Sequence, residues 1–319
     1  MRFIAWFNEI PDQELAQKAG GKGASLCRMH RNGYPVPEGF IVCSEMFDAF
    51  LEESGLKPRI MELIGQIDCD DQQSLCDLSQ QIRDMIVATP MPDNLTKLLA
   101  GHYRALGDCP PVAVRSSGTA EDLLDASFAG QQETYLYVIG EKEVIHYVKE
   151  CWASLYNDRA IFYRRCKQFE EDAISIAVVV QRMVNADKAG VIFSANPITN
   201  DRNSVMIEAA WGLGEGVVQG IVTPDNYVIV KGTYDIATEY ISEKEIMVVR
   251  LCERGGVKEV EVPENMRCAP VLSERERRAL VDMAVNVENF YQLPQDLEWA
   301  IEGDKLYLLQ SRPITTVKG

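Results

Sequence analysis

The chain has 319 residues, enough to bury more than one core, and 46% hydrophobic with 25% charged content is that of a folded globular protein. Its 48 acidic against 32 basic residues leave a formal charge of −16, which argues against nucleic acid or anionic membrane as partners, since both need a basic face. Nine scattered cysteines, an odd number with no Cys-x-x-Cys pair, point to packed free thiols in a reducing compartment. The apolar run Phe3–Phe7 is too short for a signal segment, and no run approaches the ~18 residues of a membrane span, so a cytoplasmic protein is expected.

In chain order, the first chemical signal is Gly20-Gly21-Lys22-Gly23, followed by a helical pattern that places Leu26 and Met29 on one face and stops at Gly33. A glycine-rich turn would present Lys22 near a helix N-terminus, where free N–H groups and the helix dipole favour an anion. The spacing is not that of a P-loop, and a helix start without a ligand is the competing reading. Phe40–Cys43 reads as a buried strand. Ser44–Gly55, Asp71–Ala88 and Asp93–Leu106 read as helices, and the Gly107–Pro111 break marks the expected boundary between a helix-rich lobe, 1–108, and a second lobe, 109–319.

Val112-Ala113-Val114 opens a short strand that runs into Arg115, Ser116, Ser117 and Thr119. One permanent cation, three hydroxyls and unshielded backbone N–H groups are an inventory suited to polyphosphate oxygens, with a plain polar loop as the alternative. A second small-residue turn, Ala129-Gly130, leads to the strand Thr134–Val138. A long helical region follows over Lys142–Phe169, interrupted at Asn157-Asp158. Ile174–Met183 and Ala189–Ser194 read as two adjoining central strands, the first carrying Gln181. Ser204–Ala210 is a further strand, ending in Trp211-Gly-Leu-Gly-Glu-Gly216, which is either a tight turn or a phosphate cradle. Short strands then meander to a capping box, Ser273-Glu-Arg-Glu276, that opens an amphipathic helix with Leu280, Met283, Val287 and Phe290 inward.

The last constellation is a hairpin about Gly303-Asp304, with Asp296 and Glu298 on one strand and Gln310 and Arg312 on the other. Two acids that interrupt apolar positions need a partner, unless the strand is a surface edge. Carboxylate and amide oxygens beside substrate phosphates suit magnesium. That site demands a register: a plain two-residue turn pairs Glu298 with Leu309, whereas one extra residue pairs Glu298 with Gln310 and Asp296 with Arg312. The shift is expected to gather Leu297, Trp299, Ile301, Tyr307 and Leu309 on the opposite, apolar face.

Together the runs Gly-Gly-Lys-Gly, Arg-Ser-Ser-x-x-x-Glu-Asp, Phe-Ala-Gly-Gln, the strand ending in Gln181, and Gln310-Ser-Arg-Pro313 resemble the nucleotide-binding domain of phosphoenolpyruvate synthase, pyruvate phosphate dikinase and rifampin phosphotransferase. The resemblance implies an α/β (α+β) ATP-grasp fold, two lobes of mixed sheet and helices enclosing Mg-ATP. It implies that Lys22, Arg115 and Arg312 neutralise transferring phosphoryl groups, that Gly130 and Thr134 close over the phosphates, and that Gln181 reaches the adenine or ribose. Glu298 and Gln310 are implied to approach Mg2+, and Glu215 to support the site. Whole family members pass phosphate from ATP to a histidine on a swivelling domain and on to an acceptor. None of His30, His102 and His146 has that histidine's context, so an ATP half-reaction is expected here, with phosphohistidine and acceptor domains elsewhere. Phosphoenolpyruvate synthase-like chemistry is the leading reading; a rifampin phosphotransferase-like kinase or a non-catalytic nucleotide sensor are the alternatives.

Overall fold

The structure is a computed structural model that describes residues 2–68, 71–119, 133–166, 175–251 and 255–316. It is mixed α/β with antiparallel sheets, and it divides into two compact units, Met1–Asn32 with Glu38–Met183 and Gly33–Pro37 with Val184–Gly319. Among the described residues no helix is long and apolar enough to cross a membrane.

The first unit is built on a five-stranded antiparallel sheet of β1 (Ile4–Trp6), β2 (Gly39–Val42), β3 (Val112–Gly118), β4 (Thr134–Val138) and β5 (Ile176–Arg182), in the order β1-β2-β5-β3-β4. Its central strands β2 and β5 are apolar runs, rich in β-branched residues and buried on both faces, whereas β3 passes from an apolar start into Arg115, Ser116 and Ser117. One face carries Phe40, Val42, Val112, Val114, Val178 and Val180, which share a core with α2 (Ser44–Glu53), α3 (Leu56–Gln66), α4 (Gln72–Ala88), α5 (Asp93–Ala105) and α6 (Glu141–Ala153). Trp152 anchors that core, stacked on Phe50 with ring centroids 5.1 Å apart. The Asp71 carboxylate caps α4 by accepting from the Gln73 and Ser74 amides at 3.0 and 3.2 Å. After α6, Asn157 interrupts the helical region and its side chain accepts from the Ala160 amide, opening α7 (Asp158–Cys166).

Three expectations change here. Helix α3 was not anticipated, because Gly55 and Pro58 look like a break; Gly55 instead links the helices at φ 70°, and Pro58 falls in the first turn of α3, where it forfeits no hydrogen bond. The 108/109 division falls inside the first unit: β3, after the break, pairs with β5 along its whole length, and β5 pairs with β2, from before it. The two apolar runs expected to adjoin lie in different sheets, β5 at the centre of the first and β6 (Lys188–Phe193) in the second.

The second unit is a six-stranded antiparallel sheet in the order β13-β12-β6-β7-β8-β9, adding β7 (Ser204–Trp211), β8 (Asp225–Val230), β9 (Ile236–Tyr240), β12 (Gln295–Glu302) and β13 (Lys305–Pro313). The short helix α8 (Glu215–Val218) follows β7. The hairpin of β10 (Ile246–Arg250) and β11 (Val257–Glu261) leads through α9 (Glu264–Arg267) to α10 (Glu274–Tyr291). The expected capping box is present, with Ser273 and Glu276 bonded reciprocally. Leu280, Met283 and Val287 of α10 are buried, and Arg277 lies 5.3 Å over the Tyr227 ring, so the helix covers the face of Tyr227, Ile207, Ile192 and Leu297. Phe290, expected inward, is 38% exposed at the helix end, where it meets Tyr34 edge-on.

A buried ion pair pins this unit. Asp225 and Lys244 are 0% and 1% exposed in their side chains and are bonded to each other. The Asp225 carboxylate also accepts from the Ser242 and Val271 amides at 3.0 and 2.8 Å and from the Tyr227 hydroxyl at 3.2 Å. One carboxylate thereby ties β8 to the segments before β10 and before α10.

Candidate functional site

In the first unit the site begins with a defect in a helix. Helix α1 runs over Leu15–Arg31, but Gly20 within it has φ 66° and ψ 179°, and the helix resumes after it. The expected glycine-rich turn is therefore one residue long and lies inside a longer helix. A Cβ at Gly20 would stand 2.3 Å from the Ser117 carbonyl oxygen, so both the positive φ and the approach of β3 demand glycine. The break deprives the Gly23 amide of its usual acceptor, the Ala19 carbonyl four residues back. The Ser117 hydroxyl fills the gap, accepting from the Gly23 amide at 3.1 Å and donating to the Ala19 carbonyl at 2.8 Å.

Lys22 sits in the first turn of the resumed helix, its ammonium 3.5 Å from the Ser116 carbonyl. Helix α1 lies on the sheet face opposite the helical core, since a Cβ on Gly23 would meet Ile41 and Val179 at 3.0 and 3.6 Å. Arg115 stands directly across from Val179 on β5 and from Thr134 on β4, and Gln181 lies two residues beyond Val179. Side chains of paired residues share a face, so Arg115, Thr134 and Gln181 emerge on the side that α1 covers. Arg115 and Gln181 are buried and Thr134 is exposed. Four of the expected residues, Lys22, Arg115, Thr134 and Gln181, thus gather on one face, while Gly130 lies outside the described residues.

The hydroxyls read as phosphate donors serve the fold instead. Ser116 donates to the Glu133 carbonyl at 3.2 Å, Ser117 to that of Ala19, and Thr119 to that of Ser175 at 2.9 Å. Each hydroxyl is within donating distance of a main-chain acceptor, which gives all three a role in holding the fold.

In the second unit the hairpin has the register that the metal reading demanded. Glu302 pairs with Lys305 across a two-residue turn, Trp299 with Leu308, Glu298 with Gln310, and Asp296 with Arg312, so Leu309 is the extra residue of a β-bulge. Because the bulge lies in mid-strand and not at the turn, the apolar face differs from the expected one. Leu306 and Leu308 join Leu297, Trp299 and Ile301, whereas Tyr307 and Leu309 pack with Val184, Ala189 and Ala300.

Beside that apolar patch, the same face of the sheet carries Asp296, Glu298, Gln310 and Arg312. The buried Asp296 accepts from Arg312 Nε at 2.7 Å, with the Arg312 side chain 59% exposed. Sheet register adds a residue that sequence reasoning missed: Glu298 stands beside Val191, and Val191 beside Glu208, so Glu208 shares the row two strands away. Burial raises the Asp296 carboxyl above its ordinary range against the pull of Arg312, with Glu298 adding to the rise. Burial and then Asp296 raise Glu208. Among the described residues no group of three or more His, Cys, Asp and Glu side chains is arranged to hold a metal alone. Glu298 and Gln310 offer a carboxylate and an amide oxygen, a hard donor pair that suits Mg2+ when phosphate oxygens supply other ligands.

The Gly-Leu-Gly-Glu turn is held by protein partners. Its Gly212 amide bonds the Asp187 carbonyl and the Leu213 amide the Val248 carbonyl, at 2.9 and 2.8 Å, which favours the structural reading over the cradle. Glu215 accepts from Gln219 at 2.9 Å, and burial raises its carboxyl. His102 lies against the Trp6 and Phe40 rings, His30 lies edge-on to Phe7, and His146, partly exposed, lies 3.6 Å from Glu150 on its own helix.

The chain matches the family described as "Pyruvate phosphate dikinase, AMP/ATP-binding domain" over residues 16–319, and it belongs to that family. Among curated relatives, a probable phosphoenolpyruvate synthase of Methanocaldococcus jannaschii is 46% identical over all of this chain and 27% of its own length. The phosphoenolpyruvate synthase of Pyrococcus furiosus is 42% identical over 99% of this chain and 44% of its own. The rifampicin phosphotransferase of Bacillus cereus is 36% identical over 99% of this chain and 36% of its own. The chain therefore spans between a quarter and half of these relatives.

Proposed function

We propose that this chain is an ATP-grasp domain that binds Mg-ATP and carries out the ATP half-reaction of a phosphoenolpyruvate synthase-like dikinase: the β- and γ-phosphates pass to a histidine on a separate swivelling domain with AMP leaving, and water releases the outer phosphate, so that one phosphoryl group stays on the histidine. The observation that carries the reading is the bulged hairpin, which sets Glu298 opposite Gln310 and Asp296 opposite Arg312 in a chain of this family. Lys22 and Arg115 of the first unit neutralise phosphate charge, Thr134 closes over the phosphates, and Gln181 reaches the adenine or ribose. Glu298 and Gln310 would hold Mg2+, and Arg312, paired with Asp296, would meet the phosphates. Bound magnesium supplies charge neutralisation at the phosphate oxygens. The relatives named phosphoenolpyruvate synthase support this acceptor chemistry over antibiotic phosphorylation by their higher identity.

Calorimetry with ATP and AMP, with and without Mg2+, tests the binding half. An assay of AMP release dependent on pyruvate or rifampicin tests the transfer half. The chain alone is expected to bind Mg-ATP and to phosphorylate neither acceptor. Clear acceptor phosphorylation by the purified chain would overturn the assignment of a half-reaction.

A further inference from the structure

We infer that Ser117 is a positioning residue for Lys22: its hydroxyl, inserted between the Gly23 amide and the Ala19 carbonyl, holds the helix break that aims the lysine. The inference rests on the proposed phosphate role of Lys22. Three observations meet at this hydroxyl. Gly20 leaves the helical path at φ 66°, so α1 ends and restarts within one residue. Ser117 Oγ accepts from Gly23 at 3.1 Å and donates to Ala19 at 2.8 Å, taking the place of the direct bond between residues i and i−4. A Cβ on Gly20 would lie 2.5 Å from the same Oγ, so glycine and serine fit as a pair.

The arrangement is a helix N-cap delivered from another strand. With Gly20 in the N-cap position, Gly23 is the third residue of the resumed helix, whose amide an N-cap side chain ordinarily receives. Glycine has no side chain to offer, and β3 supplies the hydroxyl. Lys22, the second residue of that turn, is consequently fixed against β3, with its ammonium 3.5 Å from the Ser116 carbonyl and next to the strand position of Arg115. Without the hydroxyl, the Gly23 amide and the Ala19 carbonyl are left to close on each other as in an unbroken helix. That closure straightens α1 and swings Lys22 out of its place. The Arg-Ser-Ser run thus contributes to phosphate binding through Arg115 directly and through its second serine by way of another residue.

The test is a double-mutant cycle of Ser117→Ala with Lys22→Ala in the full chain, read as Mg-ATP and AMP affinity by calorimetry, with thermal unfolding recorded for each protein. Ser117→Ala is expected to weaken ATP about tenfold, on the scale of a lost helix cap, while AMP stays within about twofold. In the Lys22→Ala background the same change should cost ATP nothing further, and Ser117→Thr, which keeps the hydroxyl, should restore ATP binding. Equal losses for ATP and AMP, or an undiminished loss in the Lys22→Ala background, would overturn the positioning role while leaving the phosphate reading intact. If Lys22→Ala itself leaves ATP untouched, the phosphate reading falls, and this inference with it. Should the alanine variant fail to fold, Ser117→Cys, close in volume and a weaker donor and acceptor, carries the same comparison.

Discussion

The Asp225–Lys244 pair permits a quantitative test of what holds the second unit together. Both side chains are withdrawn from water, and the carboxylate takes donors from Ser242, Tyr227 and Val271 besides the lysine. Asp225→Asn keeps the shape but removes the charge that neutralises Lys244, leaving a buried ammonium whose remaining bond in the cluster is to the Ser242 carbonyl at 2.8 Å. Breaking a buried pair from one side costs about 3–5 kcal/mol, a fifth or more of the roughly 5–15 kcal/mol that holds a typical domain folded. Lys244→Met strands the carboxylate instead and should cost a similar amount, softened by the two backbone amides. The double variant removes both charges and should lose less than either single one. Urea unfolding followed by circular dichroism reads all four proteins. Losses below about 1 kcal/mol for the single variants, or additive losses in the double, would refute the claim that this pair is a buried, mutually dependent pin.

The other predictions concern the charged face of each unit. Lys22→Ala and Arg115→Ala should each weaken ATP by about 1.5–3 kcal/mol and AMP far less, since both are assigned to phosphates; calorimetry with the two nucleotides checks it, and equal losses would move the residues off the phosphates. Glu208 and Asp296 both hold their protons more tightly in the folded than in the unfolded chain. For a raised carboxyl the folded state is favoured at low pH, and stability is lost as pH rises through the unfolded and then the folded value. Glu208→Gln should therefore stabilise the ligand-free protein more at about pH 7 than at about pH 4, read as urea midpoints, and a constant difference would contradict the coupling.

What sequence made legible, and what it did not, follows from the range of each interaction. The hairpin register was readable because side chains alternate along a strand, so an apolar set and a polar set on one strand constrain each other. The site of the extra residue was not, because a bulge at Leu309 and an extra residue at the turn give the same pairing of Glu298 with Gln310. That ambiguity put Tyr307 and Leu309 on the wrong face. Ser117 was counted as a phosphate donor because its sequence neighbours are hydroxyls and a cation, whereas its partners, Ala19 and Gly23, lie nearly a hundred residues away. Glu208 passed unnoticed as a single acid in an apolar strand; only the order β12-β6-β7 brings it into the row of Glu298. Its one available signal was that a carboxylate between Ile207 and Ala209 has to be accommodated somewhere. Asp225, another acid in a largely apolar strand, is accommodated instead by Lys244 and main-chain amides.

The central claim, that the bulged hairpin holds the metal of a metal–nucleotide site, is tested most directly by the Mg2+ dependence of ATP binding in Glu298→Gln and Gln310→Ala. Titration of ATP across a series of Mg2+ concentrations should show tightening in the parent chain. In both variants that tightening should be lost while AMP affinity and thermal stability stay as in the parent. A Mg2+ dependence unchanged by either substitution would contradict the assignment and take the metal away from this hairpin.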